Sequence, residues 1–385
     1  MNTKKLLMLL LVLALALALA ACGGAAEEAA EEPAEEAAEE AAAEVPEGPI
    51  TVTDMSGDEV TVELPVESIV NLWPAGTSSF FVMGAGDLIS GLAINSPATM
   101  NTWTQLFYPG CVDIPEMGGT TPAVEELANL APDLVIVHPS SAKDGYPQQV
   151  REIGIPAINI NFKNYDTMTQ AYTLLGEILG GEYKEKLTAW CDEIAAKQAR
   201  NQELLSGVAD EDKPVVYYIA GQEDSLTLTM GQGTIIQDWV ETCGGRFASA
   251  EIDLEGQEVT AEQIFELNPD VIIVGGTSQH LLMKELQETD GWKDLNAVKN
   301  GRVYNNPYGC FNWDRFGLES CLQLDYALMC IQPEIAAEAG IDRDFMVQDV
   351  IDFYARNNGT ELTKEQAGFM LDGLGPDGTA EIPAE

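Results

Sequence analysis

The chain of 385 residues carries 63 Asp and Glu against 19 Lys and Arg, a formal charge of -44. A surface this acidic argues against nucleic-acid binding and against docking on a membrane through basic residues, and it makes any arginine in a cleft conspicuous. None of the seven cysteines forms a CxxC pair, so neither a zinc knuckle nor a thioredoxin-type motif is supported.

Lys4 and Lys5 precede an apolar run from Leu6 to Leu19, and small residues lead from there to Cys22. That order describes an export signal, and the run is shorter than the roughly 20 residues that span a bilayer. Leu19-Ala20-Ala21-Cys22 resembles the processing site of bacterial lipoproteins, which implies acylation of Cys22 and an extracytoplasmic product held at the cell membrane by lipid alone. Residues 23–48 are almost entirely Ala and Glu with two prolines, a self-repelling spacer without core-forming side chains. With Cys22 assigned to lipid, six cysteines remain and their pairing stays open.

Alternation on both sides of Gly57-Asp58 predicts a β-hairpin over 50–64. A core strand over 68–72 then leads into Ala75-Gly76-Thr77-Ser78-Ser79 and a helical run to Met83. A polar loop in that place lies at the carboxyl end of a parallel strand, where open α/β sheets bind ligands. Further strands are expected over 88–94, 134–137 and 157–160, followed by helical patterns over 165–179 and from 182 to about 205. In the second half, strands are expected over 215–219, 226–228, 271–274 and 302–304, and helices over 235–242, 318–329 and 334–356, the last broken near Gly340.

The stretch from Glu125 through Pro132-Asp133 to Val137 returns, with conservative changes, from Glu262 through Pro269-Asp270 to Val274. Each copy reads as a short amphipathic helix, a turn, and a β-branched run suited to a strand covered on both faces. Thr121-Pro122 reads as an N-cap with Pro at the first helical position, and Thr260 with Gln263 as a capping box. The duplication predicts an α/β fold of two Rossmann-like lobes with parallel sheets, joined by a single long backbone helix, with a ligand cleft between them. The expected boundaries are 49–163 for the first lobe, 164–212 for the connecting helices, 213–372 for the second lobe and 373–385 for a loose tail.

The opening hairpin, Val82-Met83-Gly84-Ala85-Gly86-Asp87, the two Pro-Asp strands, Gly154-Ile155-Pro156, Cys243-Gly244-Gly245 and the segment from Leu295 to Tyr304 form an ordered set. Over 50–371 that set resembles the periplasmic substrate-binding proteins of ABC importers for iron complexes, haem and cobalamin. The resemblance implies a rigid two-lobed monomer without an intrinsic cofactor, which captures a siderophore-type ferric chelate and delivers it to an ABC permease and its ATPase. It also implies that one glutamate on each lobe meets arginines of the permease, and by position these are Glu125 and Glu262. Haem and cobalamin are the alternative ligands within the class. An enzyme on the same scaffold would need an activated nucleophile or an open metal site, and no Ser-His constellation is visible; a surface adhesin is the remaining alternative.

Candidate ligand contacts lie just past strand ends: Trp73, Thr77, Ser78, Trp103 and His138 in the first lobe, and Gln232, Tyr308, Trp313 and Arg315 in the second. Aromatic faces with a few polar groups suit a large, partly apolar chelate. The two histidines, His138 and His280, fall on different predicted lobes, which argues against a bare zinc or manganese site. His138 reads either as a ligand to haem iron or as a satisfied structural histidine. Arg315 reads either as the partner of a carboxylate or phosphate on the ligand or as an ion-pair partner of Asp314 or of the first lobe.

Overall fold

The computed structural model describes residues 47–96, 100–221, 225–250, 259–276 and 278–380; Cys22, the export signal and nearly all of the spacer lie outside them. No described helix is long and apolar enough to cross a membrane.

The hairpin forms as expected, with β1 (Gly48–Thr53) antiparallel to β2 (Glu59–Leu64). Asp54 fixes it to the first lobe. Its Oδ1 accepts from the amides of Ser56 and Asp58, and its Oδ2 accepts from the Asn159 amide at 3.0 Å and from Arg151 Nη2 at 3.1 Å.

Each lobe is built on a four-stranded parallel sheet. The first contains β3 (Ile69–Asn71), β4 (Ile89–Leu92), β5 (Leu134–Val137) and β6 (Ala157–Asn159) in the order β4-β3-β5-β6. The second contains β7 (Val215–Ile219), β8 (Arg246–Phe247), β9 (Val271–Val274) and β10 (Val303–Asn305) in the order β10-β9-β7-β8. The two copies of the sequence repeat supply the third strand of each sheet in chain order, and in both sheets that strand lies directly beside the first. Leu226–Leu228 does not form the expected strand; that edge of the second sheet is filled by β8, too short to carry a periodic signal.

The strand residues alternate between two cores, as a period of two requires. Leu134 and Ile136 face a large shared core with Val271 and Ile273, whereas Val135 and Val137 pack into an outer core of the first lobe and Ile272 and Val274 into that of the second. Both faces are therefore covered, which explains the unbroken apolar runs in the sequence.

Two helices lie between the sheets, as the two helical patterns predict. Tyr165–Leu179 and Gly181–Leu204 form a helical hairpin that turns at Gly180 and Gly181, both at positive φ (63° and 49°). The two helices pack through Tyr172 and Trp190, whose rings meet edge to face at 4.7 Å. The second helix holds both lobes: Lys186 Nζ donates to the Met83 carbonyl of the first at 3.0 Å, and Trp190 Nε1 donates to the Leu318 carbonyl of the second at 2.7 Å. A buried charge cluster continues the contact, with Lys197 Nζ 2.8 Å from Asp325 and 2.7 Å from Glu193. The expected helix over 334–356 divides into Pro333–Glu338 and Arg343–Asn358 around Gly340. All six cysteines beyond Cys22 are free.

Candidate functional site

The repeat owes its Pro-Asp turn to a backbone task carried out once per lobe. The helices Val124–Leu130 and Ala261–Leu267 each end on a left-handed residue, Ala131 (φ 50°) and Asn268 (φ 43°), the only described non-glycine residues at positive φ. The aspartate two residues later then closes onto the first strand of its sheet. Asp133 Oδ2 accepts from the amides of Glu67 and Ser68, and Asp270 Oδ2 accepts from that of Val215 at 2.9 Å. Glu125 and Glu262 thus sit in the first turn of equivalent helices, outside any ion pair among the described residues, and both are exposed. The capping box of Thr260 and Gln263 forms. Thr121-Pro122 does not cap: the N-cap is Ala123, with no side-chain hydrogen bond, so the acids alone complement that helix start.

The carboxyl ends of the strands converge where the lobes meet. After β3, the Asn71 side chain bonds both Trp73 backbone groups and donates to Thr77 Oγ1 at 2.9 Å, which fixes the start of the helix Pro74–Val82. After β7 and β9 the chains come so close that a Cβ on Gly221 would fall 1.7 Å from the Gly275 carbonyl oxygen, a separation only glycine allows. Two cavities open along this junction. The smaller, about 260 Å³, is walled by Thr77, Ser78 and Phe81 from one lobe and by Tyr308, Asn312 and Arg315 from the other. The larger, about 1040 Å³, lies between Asn161, Phe162 and Lys163 on one side and Gln232, Thr234 and Phe316 on the other. Arg315 lines both.

Arg315 is held in a fixed orientation. Its Nε donates to Tyr218 Oη at 3.3 Å and its Nη2 donates to the Ala220 carbonyl at 3.1 Å, while Tyr218 Oη donates to Asp314 Oδ2 at 2.6 Å. The nearest carboxylate approach, Nε to Asp314 Oδ1 at 3.8 Å, is too long for a hydrogen bond. Burial pushes the Asp314 carboxyl above its ordinary range, against the opposing pull of Arg315. Ser78 is 6 % exposed, and its hydroxyl has no hydrogen-bond partner among the described residues.

Of the predicted contacts, Thr77, Ser78, Gln232, Tyr308 and Arg315 line a cavity. Trp73, Trp103, Trp313 and His138 do not. Trp73 is wedged at the lobe junction, 4.5 Å from the Phe162 ring and 6.2 Å from that of Phe316. Trp103 is fully buried, its indole donating to the Leu374 carbonyl at 2.8 Å, so the start of the expected loose tail is part of the packing. Trp313 is likewise fully buried in the shared core. His138 is the N-cap of the helix Pro139–Lys143: its Nδ1 accepts from the Ser140 amide at 3.2 Å, and burial lowers its pKa. Its role in this structure is thus that of a helix cap, through Nδ1.

Sequence reasoning missed Asn101, Phe162 and Lys163. Phe162 and Lys163 lie just past β6 and would have emerged had the strand-end rule been applied to the fourth strand as to the others. Asn101 carries no motif. It joins the lobes through Nδ2, which donates to Tyr308 Oη at 3.0 Å and to the carbonyls of Gly309 and Cys310 at 3.1 and 3.0 Å. Behind that loop, the buried Glu319 accepts from the amides of Cys310 at 2.7 Å and Phe311 at 2.9 Å and from the Tyr354 hydroxyl. Burial lifts its carboxyl to about 7 despite those bonds.

Comparison with known proteins agrees with this architecture. The chain is 28 % identical over 266 residues, 67 % of its own length and 78 % of the relative's, to the ABC transporter substrate-binding lipoprotein YvrC of Bacillus subtilis. It is 26 % identical to the Fe(3+)-citrate-binding protein YfmC of the same organism, over 52 % of this chain and 61 % of that one. It is 23 % identical to a vitamin B12-binding protein of Vibrio cholerae, over 62 % and 80 %. A periplasmic solute-binding protein of Veillonella parvula shares the fold with a TM-score of 0.73 at 23 % identity, over 86 % of this chain and 99 % of that one. The model of the family described as periplasmic binding protein matches residues 100–307, more than half of the chain. The two parallel sheets, the cleft at their carboxyl ends and this match together place the chain in the periplasmic binding protein family, among relatives that include ABC transporter substrate-binding proteins.

Proposed function

We propose that the protein is a lipid-anchored extracytoplasmic receptor that captures a ferric chelate in the interlobe cleft and hands it to an ABC permease. The observation that carries the reading is the cavity of about 1040 Å³ between the lobes, bordered by Phe162 and Phe316 and by polar side chains. Its volume suits a whole chelate rather than an ion. Among the described residues no three His, Cys, Asp or Glu side chains converge to hold a metal, so the iron would arrive with its own ligands. Haem and cobalamin remain the alternatives, the latter because a vitamin B12-binding protein is among the relatives. Both walls of the cleft come from one polypeptide, which suits a monomer.

Glu125 and Glu262 are the proposed docking acids, because equivalent helices carry both in their first turn and no ion pair among the described residues engages them. Cys22 is the proposed anchor. In cells, Glu125→Ala with Glu262→Ala is expected to abolish uptake of radiolabelled iron chelate while the purified variant binds it unchanged. Loss of binding instead would assign the acids to the cleft. In the same cells, Cys22→Ser is expected to move the protein out of the membrane fraction.

A further inference from the structure

Acids outnumber bases by more than three to one in this chain, yet the cleft reverses the ratio. Lys143, Lys163 and Arg315 line the larger cavity, and no described Asp or Glu does. In the smaller cavity Arg315 is the one charged residue among the described lining. Neither lysine has an ion-pair partner among the described residues, a state they share with Lys184, Lys284 and Lys364, which lie outside the cavity. The two lysines come from separate elements of the first lobe: Lys143 closes the helix Pro139–Lys143, and Lys163 lies just past β6. Arg315 lines the same cavity from the second lobe, its guanidinium oriented by Tyr218 and the Ala220 carbonyl. A cleft between low-dielectric walls focuses such charges, and the surrounding negative surface heightens the contrast. The unpartnered Ser78 hydroxyl adds a buried donor in the smaller cavity, which the same arginine lines.

We infer that the cleft selects a negatively charged, oxygen-rich chelate, a ferric polycarboxylate, with Lys143, Lys163 and Arg315 as its counter-charges. The inference rests on the receptor reading above and adds the charge class of the cargo. A neutral or cationic chelate would leave the two lysines without a counter-charge and Arg315 with only the 3.8 Å approach of Asp314, whereas an anion supplies one to all three. Arg315 supplies donors in fixed geometry for one carboxylate, and the lysines supply point charges to the rest.

The test is calorimetric titration of the full chain with ferric citrate, with the cationic trihydroxamate chelate ferrioxamine B and with cyanocobalamin, each at low and high NaCl. Ferric citrate is expected to bind tightest and to weaken several-fold as salt rises. Lys143→Gln with Lys163→Gln is expected to weaken it about tenfold with an unfolding midpoint near that of the parent, and Arg315→Lys to weaken it by about tenfold or more. Preference for ferrioxamine B or cyanocobalamin, or unchanged affinity in the double lysine variant, overturns the anionic assignment and leaves the receptor reading intact. Failure to bind any of the three removes both.

Discussion

Glu319 is a buried carboxylate whose work is structural: it gathers the amides of Cys310 and Phe311, the segment that walls the smaller cavity. Its pKa, raised from the ordinary 4.5 to about 7, makes the fold sensitive to pH in a defined direction. Between those values the native state binds a proton that the unfolded state has lost, so this group's contribution is fully present below pH 4.5 and is lost as pH rises through 7. The loss amounts to about 3 kcal/mol at most. Glu319→Gln keeps an acceptor without the charge, and denaturant titrations are expected to show a flatter stability profile for the variant over that window. An equal slope in both proteins would mean that another group titrates there. None of this was legible in the sequence, since a glutamate before Ser-Cys-Leu gives no sign of enclosure. The strand-end residues Thr77, Ser78 and Arg315 were legible because the topology rule needs only a strand and the residues just beyond its carboxyl end. The tryptophans misled because an indole past a strand end packs inward as readily as it faces a ligand.

The repeated helix and strand is the element on which the fold was most readable. Its apolar run and its Pro-Asp turn occur in both copies because each is tied to a physical requirement, two covered faces for the strand and an acceptor for the neighbouring strand's amides. Asp133→Ala is expected to cost about 1–2 kcal/mol in chemical denaturation, since it leaves the amides of Glu67 and Ser68 without their acceptor. Asp270→Ala should cost a similar amount through Val215, whose amide is more enclosed. A negligible change in both would show that water replaces the carboxylate fully. The spine was less readable. Gly180-Gly181 separates the two helical patterns, but the fold-back of one helix on the other, with Tyr172 against Trp190, is a tertiary contact that local pattern does not record.

At the scale of the molecule, specific side-chain contacts tie the lobes together across the cleft, and Asn101 makes three of them through one amide nitrogen. Asn101→Ala removes the amide that bridges to the 308–310 loop and the Oδ1 that caps Thr104, at an expected cost of about 2 kcal/mol. Hydrogen exchange at the Cys310 and Phe311 amides should accelerate, while exchange in β5 and β9 stays as slow as in the parent. Uniform acceleration would instead indicate a general loss of stability. Such long-range pairings, formed between residues some two hundred positions apart, leave no trace in local sequence pattern.

The contact of Trp73 with Phe162 and Phe316 has one more consequence. This indole touches an aromatic ring from each side of the lobe junction, 4.5 Å from one and 6.2 Å from the other. Any rocking of one lobe against the other changes the surroundings of this indole, one of six in the chain. With the other five replaced by Phe, Trp73 would serve as an optical gauge of opening and closure, at a position where no dye has to be attached.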